Sequence, residues 1–408
     1  MKRNKLTILM SCMLATSIIL GGCSKEKTII MDTEVQYDKN ASINVTEETI
    51  NVKVDDDQLY LPMYFQDNKI YGTFGLSGGG ITPEGTEEYP ELGLFKKNLY
   101  ELKKDGELVS TDIQPMMYVW GEGSHGVIKN HFSKPEDENV YYYDNRTGEK
   151  RVIGNYNYEH ERLDGQFMWY EQQIEGNSDY AYIFQCEESN EGVGEDKLLE
   201  LQIINLKDNT KYTYKGDDIS LLDEIVYSKI TEEFYAIDWT GKLYKLELNG
   251  NEVKFNKENE INLRGLFNIR AGGVSVNEDG EIVILNRHGD GETIAIIYNP
   301  KTKETRYINK NRDEDMLVSA FFPESNKVVL SKQNENKQAE IFIGELKNDS
   351  LKIYTKVNNK PEDSELSLFS SAIINEEGNK ILVGTQMYTP IDNNVRNSRY
   401  VYNIITIE

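Results

Sequence analysis

Along most of the chain, apolar and polar residues alternate singly for a few positions, break at a polar turn, and alternate again. The stretch "AIIYNPKTKETRYI" at 295–308 has this form. Alternation with period two gives a strand one apolar and one polar face, and Asn, Asp, Gly or Lys-Thr between two such runs is hairpin chemistry. Relatives stand at "NLYELKKDGELVST" (98–111), "NVYYYDNRTGEKRVI" (139–153), "LELQIINLKDNTKYTY" (199–214), "KLYKLELNGNEVKF" (242–255) and "IFIGELKNDSLKIY" (341–354). A second hairpin family alternates with the first: "KITEEFYAI" (229–237), "SVNEDGEIVIL" (275–285), "AFFPESNKVVL" (320–330) and "AIINEEGNKILV" (372–383). Aligning Thr231, Asn277, Pro323 and Asn375 gives spacings of 46, 46 and 52 residues. No long run carries a helical period.

Two hairpins in each unit of about 50 residues make four strands, the repeat of a propeller blade. The sequence therefore predicts an all-β chain folded as a β-propeller. Its units are 58–112, 113–157, 163–216, 221–262, 265–309, 316–357 and 366–408. The count is seven, with six or eight left open because units two and three are irregular. The last unit supplies only three strands, so "ETINVKV" (48–54) is expected to fill the outer position. Closure of that kind removes a free sheet edge and pins the first blade to the last.

The "SVNEDGEIVI" turn at 275–284 and its relatives across 229–383 resemble the strand–Pro-Asp-Gly–strand repeat of TolB-like and WD-repeat-like bacterial β-propellers. The usual Ser-Pro-Asp-Gly is replaced here by Val-Asn-Glu-Asp-Gly or Phe-Pro-Glu-Ser-Asn, and there is no Trp-Asp dipeptide or Asp-box. The resemblance implies a fold, and a fold does not by itself imply a function.

The chain opens with basic "MKRNK", an apolar run from Leu6 to Leu20, and "LGGCS". That run is too short for a bilayer core, which needs about 20 residues, and reads as a secretory signal. Leu20, Gly21, Gly22 and Cys23 resemble the lipobox of bacterial lipoproteins. The resemblance implies cleavage after Gly22 and a thioether-linked diacylglycerol on Cys23. Two or more acyl chains, at about 0.8 kcal/mol per buried methylene, anchor stably where one does not. The expected organisation is a signal peptide at 1–22, lipidated Cys and tether at 23–47, and the propeller at 48–408. The expected location is the extracytoplasmic face of a cell membrane. The Tyr-rich, Pro-poor composition, with 26 Tyr and 9 Pro, fits an AT-rich genome and a Gram-positive host.

Charge narrows the partners. The net charge is −24, and removal of Lys2, Arg3 and Lys5 makes it more negative. Such a surface argues against nucleic acid as a partner. Beyond Cys23 the mature body keeps one thiol, Cys186, so no intramolecular disulfide is expected and Cys186 reads as a packed small hydrophobe.

The long insertions, at 75–92, 187–197, 287–292, 332–338 and 387–398, all fall between second and third strands of a unit. That places them on one face of the ring, opposite the short repeated turns. Loops carry function disproportionately, so this face is the expected binding face. Its candidate residues are Trp120, before a Gly-rich turn near the channel, with His125, Arg287, His288, Asp290 and Arg396.

Catalytic signatures are weak. "GLSGG" (75–79) fits the nucleophile-elbow spacing, but Ser77 is followed by glycines and Thr-Pro rather than a helix. His125 and His131 are six apart, which does not match a two-His metal motif, and no calcium-loop spacing occurs. No cofactor or metal is expected. The reading is a binding or scaffold module for a protein, peptide or wall-associated glycan. The alternative is a surface glycan hydrolase or lyase, or a peptidase-like enzyme, on the same frame.

Overall fold

A computed structural model describes residues 25–30, 44–53, 58–66, 68–76, 88–89, 94–95, 99–111, 126–129, 139–144, 150–155, 166–174, 176–177, 179–188, 197–263, 273–285, 292–309, 316–347, 350–362, 365–375, 377–391 and 394–408. Two strands come first, β1 (Lys25–Ile30) and β2 (Val45–Lys53). Sheet one follows with β3 (Gln58–Gln66) and β4 (Lys69–Leu76). After a two-stranded ladder of β5 (Glu88–Tyr89) and β6 (Leu94–Phe95), it is completed by β7 (Tyr100–Leu102) and β8 (Leu108–Ser110). Sheet two has three described strands, β9 (Gly126–Lys129), β10 (Asn139–Asp144) and β11 (Lys150–Asn155).

Sheet three comprises β12 (Gln166–Gln173), β13 (Tyr180–Glu188), β14 (Lys197–Asn205) and β15 (Lys211–Lys215). Sheet four comprises β16 (Leu222–Ser228), β17 (Glu233–Asp238), β18 (Lys242–Asn249) and β19 (Glu252–Glu260). In sheet five, β20 (Val274–Val276), β21 (Ile282–Leu285), β22 (Thr293–Asn299) and β23 (Glu304–Asn309) follow one another. Sheet six holds β24 (Leu317–Phe322), β25 (Lys327–Gln333), β26 (Ala339–Lys347) and β27 (Ser350–Lys356). Sheet seven is β28 (Leu366–Ile374), β29 (Lys380–Ile391) and β30 (Asn394–Ile407), with β2 as its fourth strand.

Within each set the strands named above form an antiparallel meander. Sheets three and four are joined at their outer edges by one parallel pair, Thr213↔Glu252, and the apolar clusters lie between neighbouring sheets. Val140 and Ile153 of sheet two pack on Ile183 and Ile204 of sheet three. Phe184 and Leu201 meet Ile225 and Leu246 across sheets three and four. Ile237 and Leu243 meet Ile284 and Tyr298 across four and five. Val283 and Ile297 meet Leu330 and Phe342 across five and six, and Val329 and Ile343 meet Val383 and Ile405 across six and seven. The last cluster joins Leu382 and Tyr402 of sheet seven to Tyr60 and Ile70 of sheet one. First strands of neighbouring sheets also meet, β16 with β20, β24 with β28, and β28 with β3, and β9 meets β12. Among the described residues, apolar clusters that join neighbouring sheets, first strands that meet, and a last sheet packed on the first define a β-propeller.

Closure takes the predicted route. Nine consecutive pairs, Val45↔Ile407 to Lys53↔Arg399, hold β2 on β30. The Tyr402 hydroxyl donates to the Tyr60 carbonyl at 2.6 Å, across the junction of sheets seven and one.

Both hairpin families occupy their expected places: one joins first to second strands, the other third to fourth. Their turns share one face of the ring, the turn face, as the 2.8 Å bond from Asn299 Nδ2 to Glu281 Oε1 between the two turns of sheet five shows. The recurring Asn is explained by its side chain. Asn277 Oδ1 accepts from the Asp279 and Glu281 amides at 3.1 and 2.9 Å, and Asn375 Oδ1 does the same for Asn379 and Lys380 at 3.0 and 2.7 Å. The recurring Gly has two reasons. Gly280 has φ +76°, and a Cβ there would stand 2.5 Å from the Ile230 amide of sheet four.

Two expectations change. The segment read as tether contains β1, which pairs in parallel with β23 over six residues, Lys25↔Glu304 to Ile30↔Asn309. The insertion at 387–398, read as a loop, is instead the continuation of β29 and β30, paired from Met387↔Arg399 to Ile391↔Asn394. Its alternation is obscured by Asn and Asp residues, which depress strand propensity without forbidding it.

Candidate functional site

Opposite the turn face lies the loop face, where second and third strands connect and where each sheet passes to the next. Its best-defined part is the seam of sheets six and seven. There β28 begins at Leu366, opposite Tyr388, and β2 ends at Lys53, opposite Arg399. Beyond those points Thr389–Ile391 and Asn394–Arg396 pair only with each other among the described residues. At about 3.4 Å per residue, these three pairs project about 10 Å past the sheet. Arg396 sits on this arm, opposite Thr389.

The arm stands on a built base. Arg399 donates through Nε and Nη2 to Glu365 Oε1 and Oε2 at 3.1 and 2.7 Å, a two-pronged pair. Its Nη1 donates to Asn51 Oδ1 at 2.8 Å, which ties β30 to β2. The hydrogen bond to Glu365 holds the Arg399 guanidinium above its ordinary value. Glu365 Oε2 also accepts from the Glu362 amide at 2.9 Å. From sheet six, Gln338 Nε2 donates to the Glu365 carbonyl at 3.1 Å, and the Ala339 amide donates to Ser367 Oγ at 2.7 Å. Residues 360–362 and 365, the turn at 334–338 and the foot of the arm are therefore one bonded unit.

The innermost strands carry the second feature. Bulges fall at Met63 in β3, Asp223 in β16, Ser319 in β24 and Ser370 in β28. Three of them, in sheets six, seven and one, lie four or five residues before the turn. A bulge lets two successive side chains leave on the same side of a strand. Ser370 and Ser371 do so, and a Cβ on Gly384 would meet their Oγ atoms at 2.5 and 2.7 Å, so only glycine leaves both hydroxyls room. Neither hydroxyl has a hydrogen-bond partner among the described residues. In sheet six the Ser319 and Ser331 hydroxyls bond to each other at 2.6 Å. The Ser370 and Ser371 hydroxyl oxygens are buried, so these small polar groups belong to the packing of the inner strands and offer no contact surface.

Of the residues singled out from sequence, Cys23, Trp120, His125, Arg287, His288 and Asp290 lie outside the described residues, as do Ser77, His131 and His160. Arg396 alone is described, through its backbone pairing. Cys186 is fully buried in the cluster between sheets three and four, the packing role expected of it. Among the described residues no three His, Cys, Asp or Glu side chains form a group able to hold a metal ion. Sequence reasoning missed Arg399, Glu365 and the bulge serines, because none stands in a motif and each acquires its setting from distant strands.

No family model matches the chain, and no curated protein does. Solved structures similar to it include an oligogalacturonate lyase in complex with manganese, 9% identical over 88% of this chain and 98% of that one, TM-score 0.42. An oligogalacturonate lyase from Vibrio parahaemolyticus is 12% identical over 92% and 97%, TM-score 0.42. The Cps50 (Swd1) β-propeller domain of Myceliophteria thermophila is 9% identical over 69% and 84%, TM-score 0.36. Likeness this distant carries no argument about function, and the propeller assignment rests on the sheets and their interfaces.

Proposed function

We propose that the chain is a lipoprotein anchored through Cys23 on the extracytoplasmic face of its membrane, and that it acts as a binding or scaffold module. Its partner is a protein, peptide or wall-associated glycan, engaged through the loop face. The observation that carries this reading is the arm of β29 and β30, which leaves the sheet and stands on a base of paired Arg399 and Glu365. A projection held on a rigid foot presents a contact surface at little ordering cost, the property that favours binding. The lipobox and the acidic surface support the address and disfavour nucleic acid.

The test is affinity capture from detergent-solubilised membranes with the full-length lipidated chain, beside a variant whose residues 389–396 are replaced by Asn-Gly. Recovery of one stoichiometric partner by the wild type and its loss from the variant is the expected result. Equal recovery from both removes the arm from the binding role. Turnover of a wall glycan or peptide by the purified chain replaces this reading with the enzyme alternative.

A further inference from the structure

We infer that β1 fixes which way the ring faces: turn face toward the bilayer, loop face and arm away from it. The inference rests on the lipid-anchor reading of Cys23 and adds an orientation to it. It starts from the direction of one strand. β1 runs parallel to β23, and Lys25 is the partner of Glu304. Glu304 is the first residue of β23, directly after the turn at 300–303, so β1 enters the ring at the turn face. Ile30, opposite Asn309, leaves at the loop face.

Cys23 precedes Lys25 by two residues, which span at most about 7 Å of extended chain. A lipid on Cys23 is therefore leashed to the turn-face end of β23. Without the β1–β23 pairing, the next fixed point would be Asn44, held by reciprocal backbone bonds with Glu408 at 3.3 and 2.9 Å. Those 21 residues could extend about 70 Å and leave the ring free to turn over. Surface charge cannot supply the orientation instead, because a chain of net charge −24 is repelled by anionic lipid. The pairing also covers the outer edge of sheet five, which would otherwise be open to strand addition.

With strands of about eight residues the two faces stand about 27 Å apart. A short leash on one face therefore holds the arm well clear of the lipid headgroups, where a partner beyond the membrane meets it.

The experiment uses the full-length lipidated protein reconstituted in vesicles that carry a headgroup quencher. A dye is placed on Lys301→Cys at the exposed turn of sheet five, or on Glu335→Cys at the exposed loop-face turn of sheet six. Cys186, fully buried, stays unlabelled. The expected result is strong quenching at position 301 and little at 335. In the double variant Lys27→Pro, Thr28→Pro, vesicle binding is kept and the difference between the dyes collapses, because one of two adjacent residues must face β23. Equal or reversed quenching in the vesicle-bound wild type overturns the orientation and leaves the anchor standing. Recovery of the wild type in the soluble fraction, or of Cys23→Ser with the membranes, overturns the anchor reading and the orientation with it.

Discussion

The two faces of the ring share one kind of corner and differ in what surrounds it. The turn face repeats one corner: an Asn side chain closing its own turn, a Gly in left-handed backbone, and the neighbouring turn pressed against it. Gly280 lies against Ile230 of sheet four, and Gly378 has φ +68° and would place a Cβ 2.9 Å from Ser325 of sheet six. Among the described residues the loop face uses that corner as well: Asp238 Oδ1 accepts from the Thr240 and Lys242 amides, Asn334 Oδ1 accepts from those of Asn336 and Gln338, and Gly241 and Lys337 are left-handed. It adds a network about Arg399 and Glu365 that gathers Asn51, Gln338 and Lys360. Stability spread over equivalent corners tolerates one loss. Stability gathered in one buried pair does not, and there the ring carries its projection.

The largest expected effect therefore belongs to the loop face. Arg399→Leu strands Glu365, whose side chain is 6% exposed, without its countercharge. The expected loss is about 3–5 kcal/mol in chemical denaturation, and Glu365→Leu added to it recovers most of that loss. A double variant no better than the single would show that the pair is not the source.

The next effect separates contact from conformation on the turn face. Gly280→Ala is expected to cost about 2–3 kcal/mol, combining left-handed strain with a clash against backbone. Gly250→Ala, with φ +61° and nothing within 4 Å of the new Cβ, is expected to cost about 1 kcal/mol. Equal costs would mean that the abutting of neighbouring turns contributes nothing.

A smaller effect follows from acid. Burial opposes the charge of Glu233, but hydrogen bonds from Lys245 and Tyr235, at 2.5 and 2.9 Å, prevail and hold its carboxyl below the ordinary 4.5. Its contribution is fully present above pH 4.5 and is lost as pH falls through the lower folded-state value. Thermal unfolding of the wild type should weaken across that window more than that of Lys245→Met, in which the partner is already gone.

The smallest effect on folding is expected from trimming the arm. Replacing residues 389–396 by Asn-Gly should move the unfolding free energy by no more than about 0.5 kcal/mol, because the arm packs on no third strand among the described residues. A larger loss would make the arm part of the fold rather than a presented surface.

The sequence alone determined the hairpins, their order and the closing strand. Those features are local: alternation fixes which side chains share a face, and Asn, Gly and Lys-Thr fix where the chain turns, so "SVNEDGEIVIL" reads correctly without its neighbours. The arm was legible only as an insertion, since Asn- and Asp-rich strands look like loops until their pairing is seen. Tertiary structure alone decided the rest. Glu365 meets Arg399 across 34 residues, Ser370 and Ser371 turn the same way only because of a bulge, and β1 finds β23 some 280 residues away. The closing strand was legible because the last unit lacks a fourth strand. These other long-range partners depend on which edges and buried charges remain free once the sheets have closed, and short-range patterning carries no trace of them.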